Sequence, residues 1–332
     1  MSKTLLRKTF PIIVIIAIYF VGPEPSTPKW DPEMPAVPTG AEALEEHVRQ
    51  MESGHKLKPD NEARIVWADS TRSKTAYSVV YLHGFSASQK EGDPVHRRFA
   101  AEFGCNLYLA RLADHGIDTV DAMINFTTDR WWRSAREALA IGRELGDKVI
   151  LMSTSTGGTM ALALAATFPD DVHALINMSP NIAINNSAAF LLNNPWGLYI
   201  ARMVKGGKYN EWDAPPERQA YWYSKYRLEA TVQLQEMLES KMKPETFGKI
   251  TQPCLTLYYY KNEAEQDPEV KVSAMLDMMA QLGTPLKDKR AVAIPDAGSH
   301  VLGSDLTSRD VEAVYAEMRQ FAQEVLRMDI RQ

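Results

Sequence analysis

From about residue 63 onward, short apolar runs alternate with stretches of helical periodicity, and that alternation leaves the chain few architectures. Residues 65–68, 77–82, 106–110, 148–152, 174–178, 255–259 and 290–294 have the length and the aliphatic or aromatic content of strands. Helical segments fall between them at 135–145 and after Gly157. A last amphipathic stretch carries Val311, Val314, Tyr315, Met318, Phe321, Val325 and Leu326. Strands this uniformly apolar must be covered on both faces, which predicts a mostly parallel sheet between two layers of helices. At 332 residues the chain is long enough for one large core with a modest appended unit.

Two regions depart from the alternation. Residues 182–249 hold Phe190, Trp196, Tyr199, Trp212, Tyr221, Trp222, Tyr223 and Tyr226 among helix-forming residues, between one strand and the next. A compact domain rarely tolerates so long a structureless loop, so this stretch reads as a helical cap over a core made of 39–181 and 250–332. Most of its aromatics form the cap's own core, and some are expected to line an apolar pocket. The other departure is the N-terminus. Lys3, Arg7 and Lys8 precede an apolar run ending at Gly22, and six prolines follow between Pro23 and Pro38. Residues 1–22 read as a signal peptide or an N-terminal membrane anchor, and residues 23–38 as an extended spacer. The basic flank predicts export, with the folded part outside the cytoplasmic membrane and possible membrane association through 1–22. Thr39 and Glu42 then have the spacing of a capping box, opening a short helix that docks through Leu44, Val48 and Met51.

A net charge of −5 without a long basic run gives no support to a nucleic-acid partner. Cys105 and Cys254 each open a predicted strand, and those strands are expected to be well separated in the sheet, so free buried thiols are expected rather than a disulfide. No cluster has the spacing of a zinc site.

Three short pieces carry the chemistry. In Ser153-Thr154-Ser155-Thr156-Gly157-Gly158, Ser155 follows a buried strand and precedes a helix, with small residues two places on either side. So tight a turn needs small neighbours, and the helix start directs backbone N–H groups toward a developing oxyanion. The usual pattern is Gly-x-Ser-x-Gly, and Ser153 stands where its first glycine would be. Upstream, His83-Gly84-Phe85 ends a strand, making the Phe85 N–H the natural second oxyanion donor beside that of Thr156. His83 itself is expected to pack structurally. Downstream, His300 in Gly298-Ser299-His300 follows the last strand, whereas His96 and His115 follow earlier ones and are candidates to line the pocket. Between them, Asp267 precedes Pro268 and the next helix. Glu263 and Glu265 lie in the same loop and remain alternatives, because that loop is about four residues longer than expected. A hydroxyl attacks a carbonyl only when an imidazole takes its proton, and a carboxylate fixes that imidazole's tautomer. Ser155, Asp267 and His300 supply those three groups in that chain order.

On these pieces, together with Leu112-Ala113-Asp114-His115-Gly116, residues 63–328 resemble the α/β-hydrolase superfamily. The similarity is greatest to the branch of monoacylglycerol lipases, carboxylesterases and serine aminopeptidase-like hydrolases. The resemblance implies an eight-stranded sheet of order 1-2-4-3-5-6-7-8, a cap after the sixth strand, and neither metal nor organic cofactor. It further implies a serine hydrolase of acyl esters, with a small apolar or lipid-like substrate. An aminopeptidase or amidase on the same groups is the alternative, with Glu211, Asp213 and Glu217 in the cap as its acidic subsite. A non-catalytic binding protein that kept the fold is the other.

Overall fold

The computed structural model describes Val14 and residues 17–331. In chain order the body runs α1 (Ala41–Ser53), β1 (Arg64–Val66), β2 (Thr75–Leu82), α2 (Val95–Glu102), β3 (Asn106–Leu109), α3 (Thr128–Leu145), β4 (Gly146–Thr154), α4 (Thr156–Thr167) and β5 (Ala174–Met178). An insertion follows, with α5 (Gly197–Lys205), β6 (Tyr209–Glu211), α6 (Pro216–Gln219), β7 (Lys225–Arg227), α7 (Leu228–Lys241) and α8 (Pro244–Phe247). The body resumes with β8 (Cys254–Tyr258), β9 (Tyr260–Asn262), β10 (Glu265–Gln266), α9 (Val272–Gln281), β11 (Lys289–Ala293) and α10 (Val311–Glu324).

Among the described residues the main sheet has seven strands in the order β1-β3-β2-β4-β5-β8-β11. All neighbours are parallel except β1, which runs antiparallel to β3. This corrects the expectation of eight. The seven segments with strand-like sequence are the seven strands, and no described residue forms the extra edge strand that the resemblance implied. The insertion accordingly follows the fifth strand in the chain rather than the sixth. It is not purely helical, because β6 and β7 pair as a small antiparallel sheet.

Alternation along each strand sorts the core into two layers. Val80, Leu82, Val149, Leu151 and Leu175 face one layer with α3, α4, α7 and α9. Val79, Tyr81, Ile150, Met152, Ile176 and Leu257 face the other, with α2 and α10. Each such aliphatic side chain stabilises the fold by about 1.5–3 kcal/mol on burial. α4 is made of small and apolar residues because it sits in the middle of a layer: Met160 through Ala165 are all fully buried.

Two N-terminal expectations change. α1 starts at Ala41 with Gly40 as its cap at φ 87°, and no side chain caps it, so Thr39 and Glu42 do not form the expected box. The Leu44 N–H instead bonds to the Gly40 carbonyl at 3.0 Å, while Leu44 and Val48 are buried as anticipated. Residues 23–38 are extended, but they lie against the body. The Trp30 indole stacks edge-on against Trp132 at 5.2 Å and donates to Ser240 Oγ at 3.1 Å. Asp31 pairs with Arg136 at 2.8 Å and accepts the Trp132 indole N–H at its carbonyl. Most of the apolar run before Gly22 lies outside the described residues. Among those described, no helix is long and apolar enough to cross a membrane.

Replacing Trp30 by alanine is expected to lower the unfolding free energy by about 1–3 kcal/mol, since a half-buried aromatic contact and one indole hydrogen bond are lost. Denaturant unfolding reads this directly, and an unchanged midpoint would show that the proline-rich segment contributes nothing to the fold.

Candidate active site

Every candidate group sits beyond the C-terminal end of a parallel strand, the edge at which α/β sheets gather their ligands. Ser155 joins β4 to α4 with φ 53° and ψ −122°. A non-glycine residue held there costs about 1–3 kcal/mol, so its surroundings must enforce the conformation. Three backbone bonds do so: Ser155 N–H to the Met178 carbonyl at 2.9 Å, and its own carbonyl to the N–H groups of Gly158 and Asn181 at 2.8 and 2.9 Å. Gly157 is obligatory because a Cβ there would stand 2.0 Å from the Leu82 carbonyl oxygen. Ser153, in place of the usual glycine, is accommodated by its neighbour strand. It pairs in register with Asn177 on β5, and its hydroxyl donates to Asn177 Oδ1 at 2.8 Å.

Asp267 and His300 meet, with Asp267 Oδ2 at 2.7 Å from His300 Nδ1. The other oxygen, Oδ1, accepts the N–H groups of Glu269 and Val270 at 2.9 and 3.1 Å, so the buried carboxylate is fixed at both ends. The extra length of this loop is the hairpin β9–β10, after which Asp267 N–H bonds to the Tyr259 carbonyl and returns the chain to the strand end. Glu263 and Glu265 lie exposed on that hairpin, bonded to the Tyr260 hydroxyl and to Asn262. Neither reaches His300.

Burial pulls the His300 imidazole down, but the charge and hydrogen bond of Asp267, reinforced by Glu91 and Glu269, outweigh it and push the group up to about 9. Burial raises Asp267 in turn, and the His300 charge with the hydrogen bonds it accepts more than offsets that, leaving it below the ordinary carboxylate value.

The strand end before Ser155 is built from three successive N–H groups with different fates. Gly84 N–H donates to Glu91 Oε2 at 2.5 Å, and Ser86 N–H donates to His115 Nε2 at 2.9 Å. Phe85 N–H, between them, has no protein acceptor among the described residues. The same holds for Thr156 N–H at the start of α4, for the Ser155 hydroxyl and for His300 Nε2. The site therefore presents one hydroxyl, one imidazole nitrogen and two backbone donors that no described residue satisfies.

Residues 79–317 match the profile of the alpha/beta hydrolase family. The chain belongs to that family. Several solved structures superpose on it at low identity. A structure from a study of LipS and LipT, metagenome-derived lipolytic enzymes, is 16% identical at TM-score 0.64, over 81% of this chain and 99% of that one. The monoacylglycerol lipase of Paleococcus ferrophilus is 14% identical at TM-score 0.57, over 79% and 99%. A soluble variant of the monoglyceride lipase of Saccharomyces cerevisiae is 12% identical at TM-score 0.55, over 80% and 91%. No curated protein sequence matches the chain.

Three other histidines of this α/β-hydrolase that follow strands, His83, His96 and His115, are structural. His83 is fully buried, takes the Leu112 N–H on Nε2 at 3.0 Å and lies 2.8 Å from the Gly84 carbonyl through Nδ1. His96 and His115 do not line a pocket, contrary to expectation. Both are fully buried, His96 against Tyr81 and bonded to the Gln89 carbonyl, His115 stacked on Trp131. Burial keeps His115 neutral, pushed down to about 4, which leaves its Nε2 free to accept. Sequence reading passed over Glu91 and the acceptor role of His115, whose partners only folding brings near.

A Gly157→Ala variant is expected to lose about 2–4 kcal/mol, because the new methyl meets backbone rather than a side chain that can move. Gly54→Ala, where nothing lies within 4 Å of the added methyl, serves as the control and is expected to be near neutral. Equal denaturation midpoints for the two variants would contradict the tight crossing at Ser155.

Proposed function

We propose that this α/β-hydrolase cleaves carboxylic esters of apolar or lipid-like compounds through an acyl-enzyme. The observation that carries the reading is the unbonded Ser155 hydroxyl on its strained turn, flanked by the free N–H groups of Phe85 and Thr156. Ser155 Oγ attacks the carbonyl carbon and His300 Nε2 takes its proton. The carbonyl oxygen becomes an oxyanion held by the two N–H groups. Asp267 keeps the Nδ1 proton on the far side of the ring and stabilises the imidazolium. His300 then protonates the leaving alcohol, and a water activated the same way releases the acid. That structurally similar proteins are described as lipolytic or as monoacylglycerol lipases supports an ester substrate. So does the apolar surrounding of the oxyanion-donor residue, where Tyr226 of the insertion packs edge-on against the Phe85 ring at 5.4 Å.

The amidase alternative needs an unpaired acid in the cap. Glu211 is paired with Lys225 at 2.8 Å, and Asp213 and Glu217 are exposed, so no observation favours it. The proposal of export, with possible membrane association, rests on residues 1–22 alone.

On p-nitrophenyl esters of graded chain length, Ser155→Ala is expected to abolish turnover above background. Asp267→Asn should lower kcat by about 10³–10⁴ through the wrong imidazole tautomer, while Glu263→Gln and Glu265→Gln stay within about twofold of the parent. Loss of activity in Glu263→Gln with Asp267→Asn unaffected would overturn the assignment of the acid. Because His300 must be unprotonated to accept the Ser155 proton, kcat/KM should climb with pH through about 9 and fall as pH drops below it. A profile already flat above pH 7 would contradict this.

A further inference from the structure

Glu91 is a carboxylate with no part in the reaction as written, yet it lies in the wall of the site. It sits on a single helical turn, Gln89–Gly92, capped by Ser88, and is almost wholly buried. Its Oε2 accepts the Gly84 N–H at 2.5 Å. The point a Cβ on Gly84 would occupy lies 2.8 and 2.9 Å from its two oxygens and 2.9 Å from Ser155 Cβ, so only the absent side chain of Gly84 separates the carboxylate from the nucleophile. A buried carboxylate is costly unless it is hydrogen-bonded or paired. Among the described residues Glu91 has no ion pair. Retaining a charge-capable group here therefore calls for a reason that packing does not supply.

We propose that Glu91 is a positioning residue for the hydrolysis: it pins the Gly84–Phe85 turn beside Ser155 and acts through its charge on His300. The inference rests on the ester-hydrolase reading of the site. The first part follows from the fate of the three N–H groups. With Gly84 N–H held by Glu91 and Ser86 N–H held by His115, the peptide between them is clamped from both sides, and Phe85 N–H is left as the free donor. The second part follows from where the carboxylate is buried: its oxygens lie 2.8 and 2.9 Å from the point a Gly84 Cβ would occupy, 2.9 Å from which stands Ser155 Cβ, and charges act more strongly there than in water. The ionised carboxylate favours the imidazolium of His300, adding to Asp267 and Glu269. Burial pushes Glu91 itself up to about 7, against the opposing pull of the Gly84 N–H, His300, Trp222 and the Arg218 guanidinium from the cap. Tyr81 from β2 faces it as a neutral phenol, raised by the same burial and by the Glu91 charge. Glu91 thus ionises near pH 7, below the pH at which His300 gives up its proton, so its charge is in place when the reaction begins.

Two substitutions separate the roles. Glu91→Gln keeps an acceptor for the Gly84 N–H and removes the charge, whereas Glu91→Ala removes both. In Glu91→Gln, the midpoint of the kcat/KM profile and the His300 titration followed by imidazole NMR should both move to lower pH, by on the order of half a unit or more. Glu91→Ala should make the same shift and in addition lose about tenfold or more in kcat at every pH, with KM little changed, because a disordered oxyanion donor acts on the transition state. Unmoved His300 titration in Glu91→Gln overturns the electrostatic role, and full kcat in Glu91→Ala overturns the clamp. Should Glu91→Gln fail to fold, Glu91→Ala, which also removes the charge, gives the same reading of His300. An unmoved His300 titration in that variant would again overturn the electrostatic role. The NMR titration needs no turnover. A parent protein that hydrolyses no ester while its His300 midpoint still responds to Glu91 would sink the hydrolase reading and leave the coupling standing.

Discussion

One serine is held where serine does not rest. The backbone of Ser155, at φ 53° and ψ −122°, turns a strand into a helix within a single residue. That turn lifts a hydroxyl onto the rim of the sheet while the first N–H of α4, that of Thr156, stays unbonded beside it. Its cost of about 1–3 kcal/mol is borne by the surrounding structure. β5 supplies the Met178 carbonyl, the segment after β5 supplies the Asn181 N–H, and Gly157 lets the backbone pass beneath the Leu82 carbonyl. Parallel pairing of β2, β4 and β5 is what brings these groups to one place, so the sheet and the site stand or fall together.

Around that turn, the polar groups divide into those that are satisfied and those that are left free. Gly84, Ser86 and Leu112 N–H groups end on Glu91, His115 and His83. The Asp267 carboxylate is filled by two turn N–H groups and one imidazole. In a buried region an unpaired donor is expensive, so the few left over are conspicuous. At the rim of the sheet they include the donors of Phe85 and Thr156, beside the Ser155 hydroxyl and His300 Nε2. In the proposed reaction the two N–H groups would take an ester's carbonyl oxygen and the imidazole would protonate the departing alcohol.

Much of the fold is legible in the sequence because a strand covered on both faces has to be apolar, and each of the seven such runs is a strand. The count of eight came from resemblance rather than from any residue, and no apolar run stands behind the missing edge strand. The hairpin within the cap escaped notice because Tyr209-Asn210-Glu211 and Lys225-Tyr226-Arg227 are short and half polar, and pair only with each other. The helix start at Ala41 shows local propensity losing to backbone geometry: a glycine at positive φ displaces the threonine cap. At the site, the sequence leaves three carboxylates open near His300. The fold separates them by tying Glu263 and Glu265 into an exposed hairpin and returning Asp267 to the strand end. Glu91 was illegible for a different reason. Gln89-Lys90-Glu91-Gly92-Asp93 is polar throughout, and nothing local to it shows that the neighbouring Ala87 is covered by Trp222 of the insertion together with Val301.

The central claim is that Ser155 is a nucleophile activated by His300. Treatment with a fluorophosphonate followed by peptide mapping tests it most directly, because the reagent needs an activated hydroxyl and an oxyanion site but no knowledge of the substrate. A single adduct per chain on the peptide carrying Ser155, lost when His300 is replaced by alanine, is the result predicted here. A folded protein that takes up no label, or takes it up on another residue, would contradict the account.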